Sequence, residues 1–326
     1  VSTVRKEVRG FTGAFEREVI RPYCFGRFSE LLLNVTRHPA MLLYLDNARS
    51  VGPRSAAGRK NRGLNENLAR EILELHTLGP NGGYDQSDVE QFARVLTGWS
   101  VSREASPSED VFVFRARAHE PGTKTVLGSR YGEGLSEGIR CLRDLSRGPQ
   151  TAQFVATKIA RHFVSNFPSK ALVHAIAHTF EKTDGDLREV ARTLIHHPDS
   201  QHPALAKVRT PFEWIVGMAQ MSDGVVDHNT AFRAVRQLNQ IPFSAPSPKG
   251  WPEEIAAWIG PEATLARLDV AERFGKIMAR MAHTQTDNFG EWIKHASSHS
   301  RAVIQSAQNA NHMWALVVLS PEFQRR

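Results

Sequence analysis

The chain is poor in cysteine. Cys24 and Cys141 are its only two, and they form neither a CxxC pair nor a Cys/His cluster of zinc-finger spacing. That excludes a zinc knuckle and a thioredoxin-like redox pair. It leaves a disulfide open, with two buried free thiols as the expectation. Long apolar runs are missing too. The longest, Met313 to Leu319, is far short of the ~20 residues that span a bilayer. No signal peptide is visible, and the chain opens on Val1 rather than Met, so a missing signal says little about location. A soluble protein, cytoplasmic or periplasmic, is the expectation. No GxxxxGK[ST] phosphate loop, HExxH, GxSxG elbow or kinase signature occurs, and no GxGxxG follows a strand. These absences remove the commonest nucleotide, zinc-protease and serine-hydrolase readings. No internal repeat or low-complexity tract appears.

What is present suits a globular chain. Hydrophobic residues are 41% and charged residues 23% of 326, enough for one large domain or two ordinary ones. We expect a single, mainly helical domain over 1–326, with a seam in the Pro-rich stretch 241–255.

The net charge of +7 is unevenly spread. Residues 1–63 hold 12 Lys/Arg against 5 Asp/Glu, and the rest of the chain is balanced. The stretch RSVGPRSAAGRKNR (49–62) carries five positive charges and no acid, in a Gly/Pro/Ser/Ala setting that reads as a loop. A solvated loop is one reading. Weak binding of an anion or nucleic acid is the other. No aromatic residue is there to stack on a base, which counts against nucleic acid.

Helical patterning dominates. Residues 28–45 read as two short helices meeting at His38-Pro39, because a proline disfavours helix in the residue before it. Residues 64–78 form a helix closed by Gly79-Pro80. In SDVEQFARVLTGW, Ser87 and Glu90 suggest a capping box. Asp186 caps LREVARTLIHHP. Residues 151–164, 171–181, 211–221, 230–238, 261–282 and 302–319 also read as helices. One stretch alternates instead. VFVFRARAHEPGTKTVLG suggests one small β-hairpin near 111–128, with strands at 111–117 and 124–127.

The 64–78 helix is chemically dense. At ~100° per residue, Leu64, Leu68, Ala69, Ile72, Leu73 and Leu75 cover one half and Glu66, Asn67, Arg70, Glu71 and Glu74 the other. Glu66–Arg70–Glu74 is an i,i+4 ladder, which a solvated helix face would also show. Glu71 and Glu74 share a side at i,i+3 and are the candidate catalytic carboxylates. His76 falls on the apolar arc, away from Glu74, so this helix does not present the two to one metal as HExxH does. Any further ligand or acid must come from elsewhere. His119, with Glu120 beside it and Lys124 five residues on, is the first choice. His162, placed by its spacing on an apolar face with Val155 and Ile159, is the second. His196-His197, closing a helix before Pro198, reads as structural.

The segments HPAMLLYLDN, GLNENLAREILELHTLGPNGGYDQSDVEQFARVLTGW, FVFRARAHEPGTKTVLGSRY, KIARHFV, TDGDL, KVRTPFEW, GWP and SPEF come in one order over essentially the whole chain. Together they resemble the large bacterial domain-of-unknown-function family numbered 1800. The resemblance implies a bacterial origin and a mostly helical fold, but no reaction. It also implies a further N-terminal helical segment and a sulfatase-like partner encoded alongside. It groups Asn65, Glu66, Asn67, Arg70, Glu71, Glu74 and His76 with His119 and Lys124, and buried charges in such a group would need pairing or a metal.

Three functions follow as expectations. The first is a hydrolase or lyase: Glu71 or Glu74 is the base or a metal ligand, His119 a ligand or acid, and Arg70 and Lys124, with Asn65, Glu66 and Asn67, bind substrate. Its metal, with His76, His119 and His162 as candidate ligands, would be zinc, manganese or iron. The second is a non-catalytic binding or scaffolding protein with a buried polar network. The third is the weak anion or nucleic-acid binding through 49–62.

Overall fold

The computed structural model describes residues 1–58, 63–102, 111–201, 207–280 and 287–326. The chain is mainly α: 62% is helical, and two small two-stranded antiparallel sheets are the β structure among the described residues. It divides into two compact units. The first comprises Val1–Phe163, Pro168–Gln201 and Pro246–Lys249. The second comprises Val164–Phe167, His202–Ala245 and Gly250–Arg326. Within the Pro-rich stretch 241–255, the chain changes unit after Ala245 and again after Lys249.

In the first unit, helices Phe28–Arg37 and Pro39–Tyr44 meet at His38, as the proline dictates, and the His38 ring accepts the Ala40 N–H at 3.1 Å. The polar segment is helical over Asn67–Glu71 and then widens into a π-turn over Ile72–His76. Leu78 N–H bonds back to the Leu73 carbonyl, five residues earlier, and the buried Thr77 hydroxyl donates to the Ile72 carbonyl at 2.8 Å. A β-branched hydroxyl one residue past the turn thus satisfies an acceptor that the wider turn leaves open. Leu68, Ile72 and Leu73 pack with Val89, Phe92 and Leu96 of helix Gln86–Leu96, and with Leu142 and Leu145 of helix Leu135–Arg147. The capping box of Gln86–Leu96 is made by Asp85 and Asp88 rather than by Ser87 and Glu90. Asp85 sits one residue before the helix, where its carboxylate reaches the Asp88 N–H at 2.9 Å. Asp186 caps helix Leu187–His196 as expected.

The alternating stretch is extended where expected, but its strands pair elsewhere. Strand β1 (Trp99–Val101) pairs with β2 (Phe112–Phe114), and β3 (Lys124–Val126) pairs with β4 (Ser129–Tyr131). The β3–β4 connection is Leu127-Gly128, both at positive φ, the two-residue turn that matches strand twist. His-Glu-Pro-Gly is therefore not a hairpin tip. It links the two sheets.

In the second unit, helices Pro211–Met221, His228–Gln237, Pro261–Arg280 and Ala310–Leu319 surround Trp214, Met218, Phe274 and Trp314. The indole N–H of Trp214 donates to the Val318 carbonyl at 2.9 Å. The helix expected over 302–319 is two, Ser298–Gln305 and Ala310–Leu319, because the Asn309 side chain accepts the His312 N–H and starts a new helix. Both cysteines are free. Cys141 is buried, but Cys24 is exposed, against expectation, because the Arg21–Tyr23 turn before it buries no residue.

Candidate functional site

The residues singled out in the sequence gather into two groups within the first unit. The first is built around His119. β1 begins two residues after Thr97, and the short turn Ala116–Ala118 carries the chain back beside it. There His119 is buried and its Nδ1–H donates to the Thr97 carbonyl at 2.8 Å. A carbonyl oxygen only accepts, so this bond fixes the proton on Nδ1 and leaves Nε2 as acceptor. Nε2 accepts the Gly134 N–H at 3.0 Å and shares a proton of Lys124 Nζ at 3.1 Å. Burial, with the Lys124 cation next to the ring, lowers the His119 pKa, so the imidazole is neutral.

Lys124 is 1% exposed. Its three protons have three acceptors: His119 Nε2, the Glu120 carbonyl at 2.6 Å and the Gly132 carbonyl at 3.2 Å. Burial lowers its pKa, and the carboxylates of Glu133 and Glu120 oppose that shift. Glu120 is equally buried. Its two oxygens accept the Arg54 main-chain N–H at 2.9 Å and Arg54 Nε–H at 2.7 Å, and its own N–H donates to the Thr97 hydroxyl at 2.8 Å. Arg54 is in the basic loop, which lies flat on the His119 segment. Gly52 N–H bonds to the Ala118 carbonyl and Ala57 N–H to the Arg117 carbonyl. A Cβ on Gly52 would sit 2.5 Å from the Glu120 Cα, so this approach needs glycine. Arg59, Lys60 and Arg62, the other half of the basic run, lie outside the described residues.

The second group is on the polar segment. Arg70 donates to Glu66 at 3.0 Å and to Gln86 at 2.8 Å, and Gln86 donates to Glu66 at 2.9 Å, closing a ring. These charges are half-buried rather than covered on both sides, because the segment buries only its Leu/Ile face. Asn65 serves the backbone. Its Oδ1 accepts the Asn67 N–H at 2.9 Å and so turns the chain into the helix, while its own N–H donates to the Ser50 hydroxyl at 3.0 Å. Asn67 is exposed. Glu71 and Glu74 have no hydrogen bond or ion pair among the described residues. Burial first, and the Glu74 charge second, raise the Glu71 pKa. The same two carboxylates, after burial, raise the pKa of Tyr84.

The two groups share a link through the basic loop, from Asn65 to Ser50 and from Arg54 to Glu120. Among the described residues, no hydrogen bond or ion pair joins Glu71 or Glu74 to His119 or Lys124. A cleft of about 310 Å³ opens on the first group, lined by Arg54, Ser55, Phe114, Arg117, His119 and Glu133.

All of residues 1–325 match the model of a family described as a protein of unknown function, DUF1800. The chain belongs to this family. No curated protein and no solved structure matches it. No helix among the described residues of this DUF1800 chain is long and apolar enough to cross a membrane.

The three histidines expected to ligate zinc, manganese or iron do not make a ligand set. His119 has its ring lone pair turned to the Gly134 N–H. His162 is exposed, edge-on to Phe163 at 4.7 Å between ring centres, because helix Pro149–Phe163 buries its alanine face, Ala152, Ala156 and Ala160, instead. His76 has its Nδ1 buried without a partner, and burial, with Lys158 and the Val1 amine nearby, lowers its pKa to about 4. Among the described residues no three His, Cys, Asp or Glu side chains are grouped to hold a metal ion. The network also depends on main-chain partners and spacers that carry no chemical signal in the sequence: Gly52, Thr97, Gly132 and Gly134. The glycine and proline of VGPRS were the available signal for the first.

Proposed function

We propose that this chain is a non-catalytic binding or scaffolding protein, in which HEPGTK and the basic loop form a structural lock. One observation carries the reading: both nitrogens of His119 and all three protons of Lys124 are engaged within the protein, four of the five bonds going to main-chain groups. An acid, base or substrate-binding cation needs a free proton or lone pair, and neither side chain has one. The lock holds Arg54 and Arg117 at the cleft, where they suit an anionic group on a partner. A sulfatase-like protein of a bacterial envelope is the partner that the family resemblance suggests. The test is elemental analysis and calorimetry of the whole chain and His119→Asn. The reading expects no stoichiometric metal in either and a lower melting temperature in the variant. A stoichiometric metal lost in His119→Asn, with melting unchanged, would overturn it.

A second reading keeps a hydrolase or lyase, with the reaction at Glu71. The raised pKa of a half-buried carboxyl without a hydrogen-bond partner among the described residues favours it, since burial and the Glu74 charge make it a stronger base than an exposed carboxylate. Glu71→Gln separates the two. Loss of a substrate-dependent activity at unchanged melting supports the enzyme, and unchanged ligand affinity supports the scaffold.

A further inference from the structure

The second unit holds a pocket of about 350 Å³ between helices Pro211–Met221, His228–Gln237 and Pro261–Arg280. Its floor is hydrocarbon: Ile215, Met218, Ala234, Val270, Phe274 and Ile277. Four of these, Ile215, Met218, Val270 and Phe274, are buried members of the unit's own core. Close-packed interiors seldom leave such space beside core side chains, so a half-open apolar pocket of this size has the dimensions of a ligand site.

The lining is also one-signed. Among the described residues it includes Arg233, Arg273, Lys276 and Arg280 and no acidic residue. Arg273, Lys276 and Arg280 recur at i, i+3 and i+7, which puts them along one side of their helix, with Phe274 and Ile277 between them. Lys276 has Glu272 at 4.0 Å. Arg273 donates to the Gln237 amide oxygen and to the Asp269 carbonyl. Among the described residues, no carboxylate lies within ion-pairing distance of Arg233, Arg273 or Arg280. Cations that gather at the mouth of an apolar pocket, outnumbering the acids beside them, Glu272 near Lys276 and Asp227 near Arg233, attract a molecule with an anionic end and a hydrocarbon body.

We propose that this pocket binds a single-chain anionic amphiphile, a fatty carboxylate or an alkyl phosphate, with its chain over Phe274 and Val270 and its head among the arginines. The size favours a small molecule over a docked helix, which needs a groove several turns long. The pocket shares no residue with the His119 network, so this inference and the proposed function fail separately.

The test is calorimetric titration of the whole chain with dodecanoate, dodecyl phosphate and dodecyltrimethylammonium. Either anion is expected to bind at least tenfold more tightly than the cation of the same chain length, and the preferred anion names the head. Decanoate should bind more weakly than dodecanoate by about fourfold per methylene removed. Ala234→Trp should fill the pocket and abolish binding. Arg233→Glu/Arg280→Glu, which changes exposed side chains and leaves the floor intact, should weaken the anions at least tenfold. Equal binding of anion and cation would overturn the proposal. So would unchanged affinity in the double variant, or binding to phosphatidylglycerol vesicles with no response to either monomeric anion.

Discussion

Lys124 in the first unit and Arg267 in the second are both deeply buried cations, and the two are held in different ways. Lys124 in the first unit has three acceptors, and the carboxylates of Glu133, Glu120 and Glu137 favour its charge. Arg267 in the second is 2% exposed and has no carboxylate within ion-pairing distance among the described residues. It donates to the Arg209 carbonyl at 2.6 Å and the Gln324 amide at 3.2 Å, and lies over the Trp214 ring at 4.9 Å. Its Nε has no partner, and burial lowers its pKa to about 10. A saturated network fixes geometry and fails sharply when opened. An aromatic face holds a cation more loosely and tolerates its replacement by an apolar chain of similar length.

The sharpest break is Lys124→Met. It orphans the Glu120 and Gly132 carbonyls in the interior and should cost the first unit about 3–5 kcal/mol, read as a lower midpoint in denaturant. Arg267→Met is its counterpart. It keeps the contact with Trp214 and should cost the second unit only about 1–2 kcal/mol, because a hydrophobic replacement offsets part of the lost bonding. Equal losses in the two units would mean that the two cations are held alike. Gly52→Ala tests the lock without touching charge. The added methyl meets Glu120 backbone, so the loop must lift and release Arg54, at a cost of about 3 kcal/mol. A loss under about 1 kcal/mol would mean that the loop is not pinned.

Acid sharpens the comparison further. His76 has a folded pKa of about 4, below the ordinary imidazole value of 6.5. In that window the unfolded chain binds the extra proton, so stability is full above pH 6.5 and falls as the pH drops toward 4. The loss at the bottom of the window is up to about 3 kcal/mol, and His76→Leu should flatten it. A first-unit midpoint that is independent of pH between 6.5 and 4 would contradict the assignment. The smallest effect is expected from Glu71→Gln, within about 0.5 kcal/mol, since the carboxyl has no hydrogen-bond partner to lose.

Lys124 and Arg267 also show what a sequence can disclose. The partners of Lys124 lie between His119 and Gly132, so one short window contained most of the network, and HEPGTK stood out. The partners of Arg267 come from positions 209, 214 and 324, and nothing near Arg267 announced them. The same distinction runs through the fold. Helices such as Pro211–Met221 and Leu187–His196 were legible from periodicity, the second also from its capping Asp186. Strand pairing was not. β1 is three residues long, too short for alternation to show, yet it takes β2 away from the expected hairpin. A helical wheel also assumes 3.6 residues per turn, and the π-turn at Ile72–His76 departs from that where the histidine was being placed. The mainly helical class and the pairing of Glu66 with Arg70 were readable. The closing of His119 by main-chain groups was not, because backbone N–H and carbonyl groups carry no sequence signal.

The central claim is that His119 is a neutral, fully bonded structural imidazole. The direct measurement is a ¹⁵N–¹H long-range correlation spectrum of the histidine rings, with His119 assigned by loss of its signals in His119→Asn, recorded with and without added zinc. The account predicts a proton on Nδ1, none on Nε2 at neutral pH, titration displaced below the ordinary imidazole range and no response to zinc. A proton on Nε2, or a His119 signal that shifts with zinc at one equivalent, would contradict it.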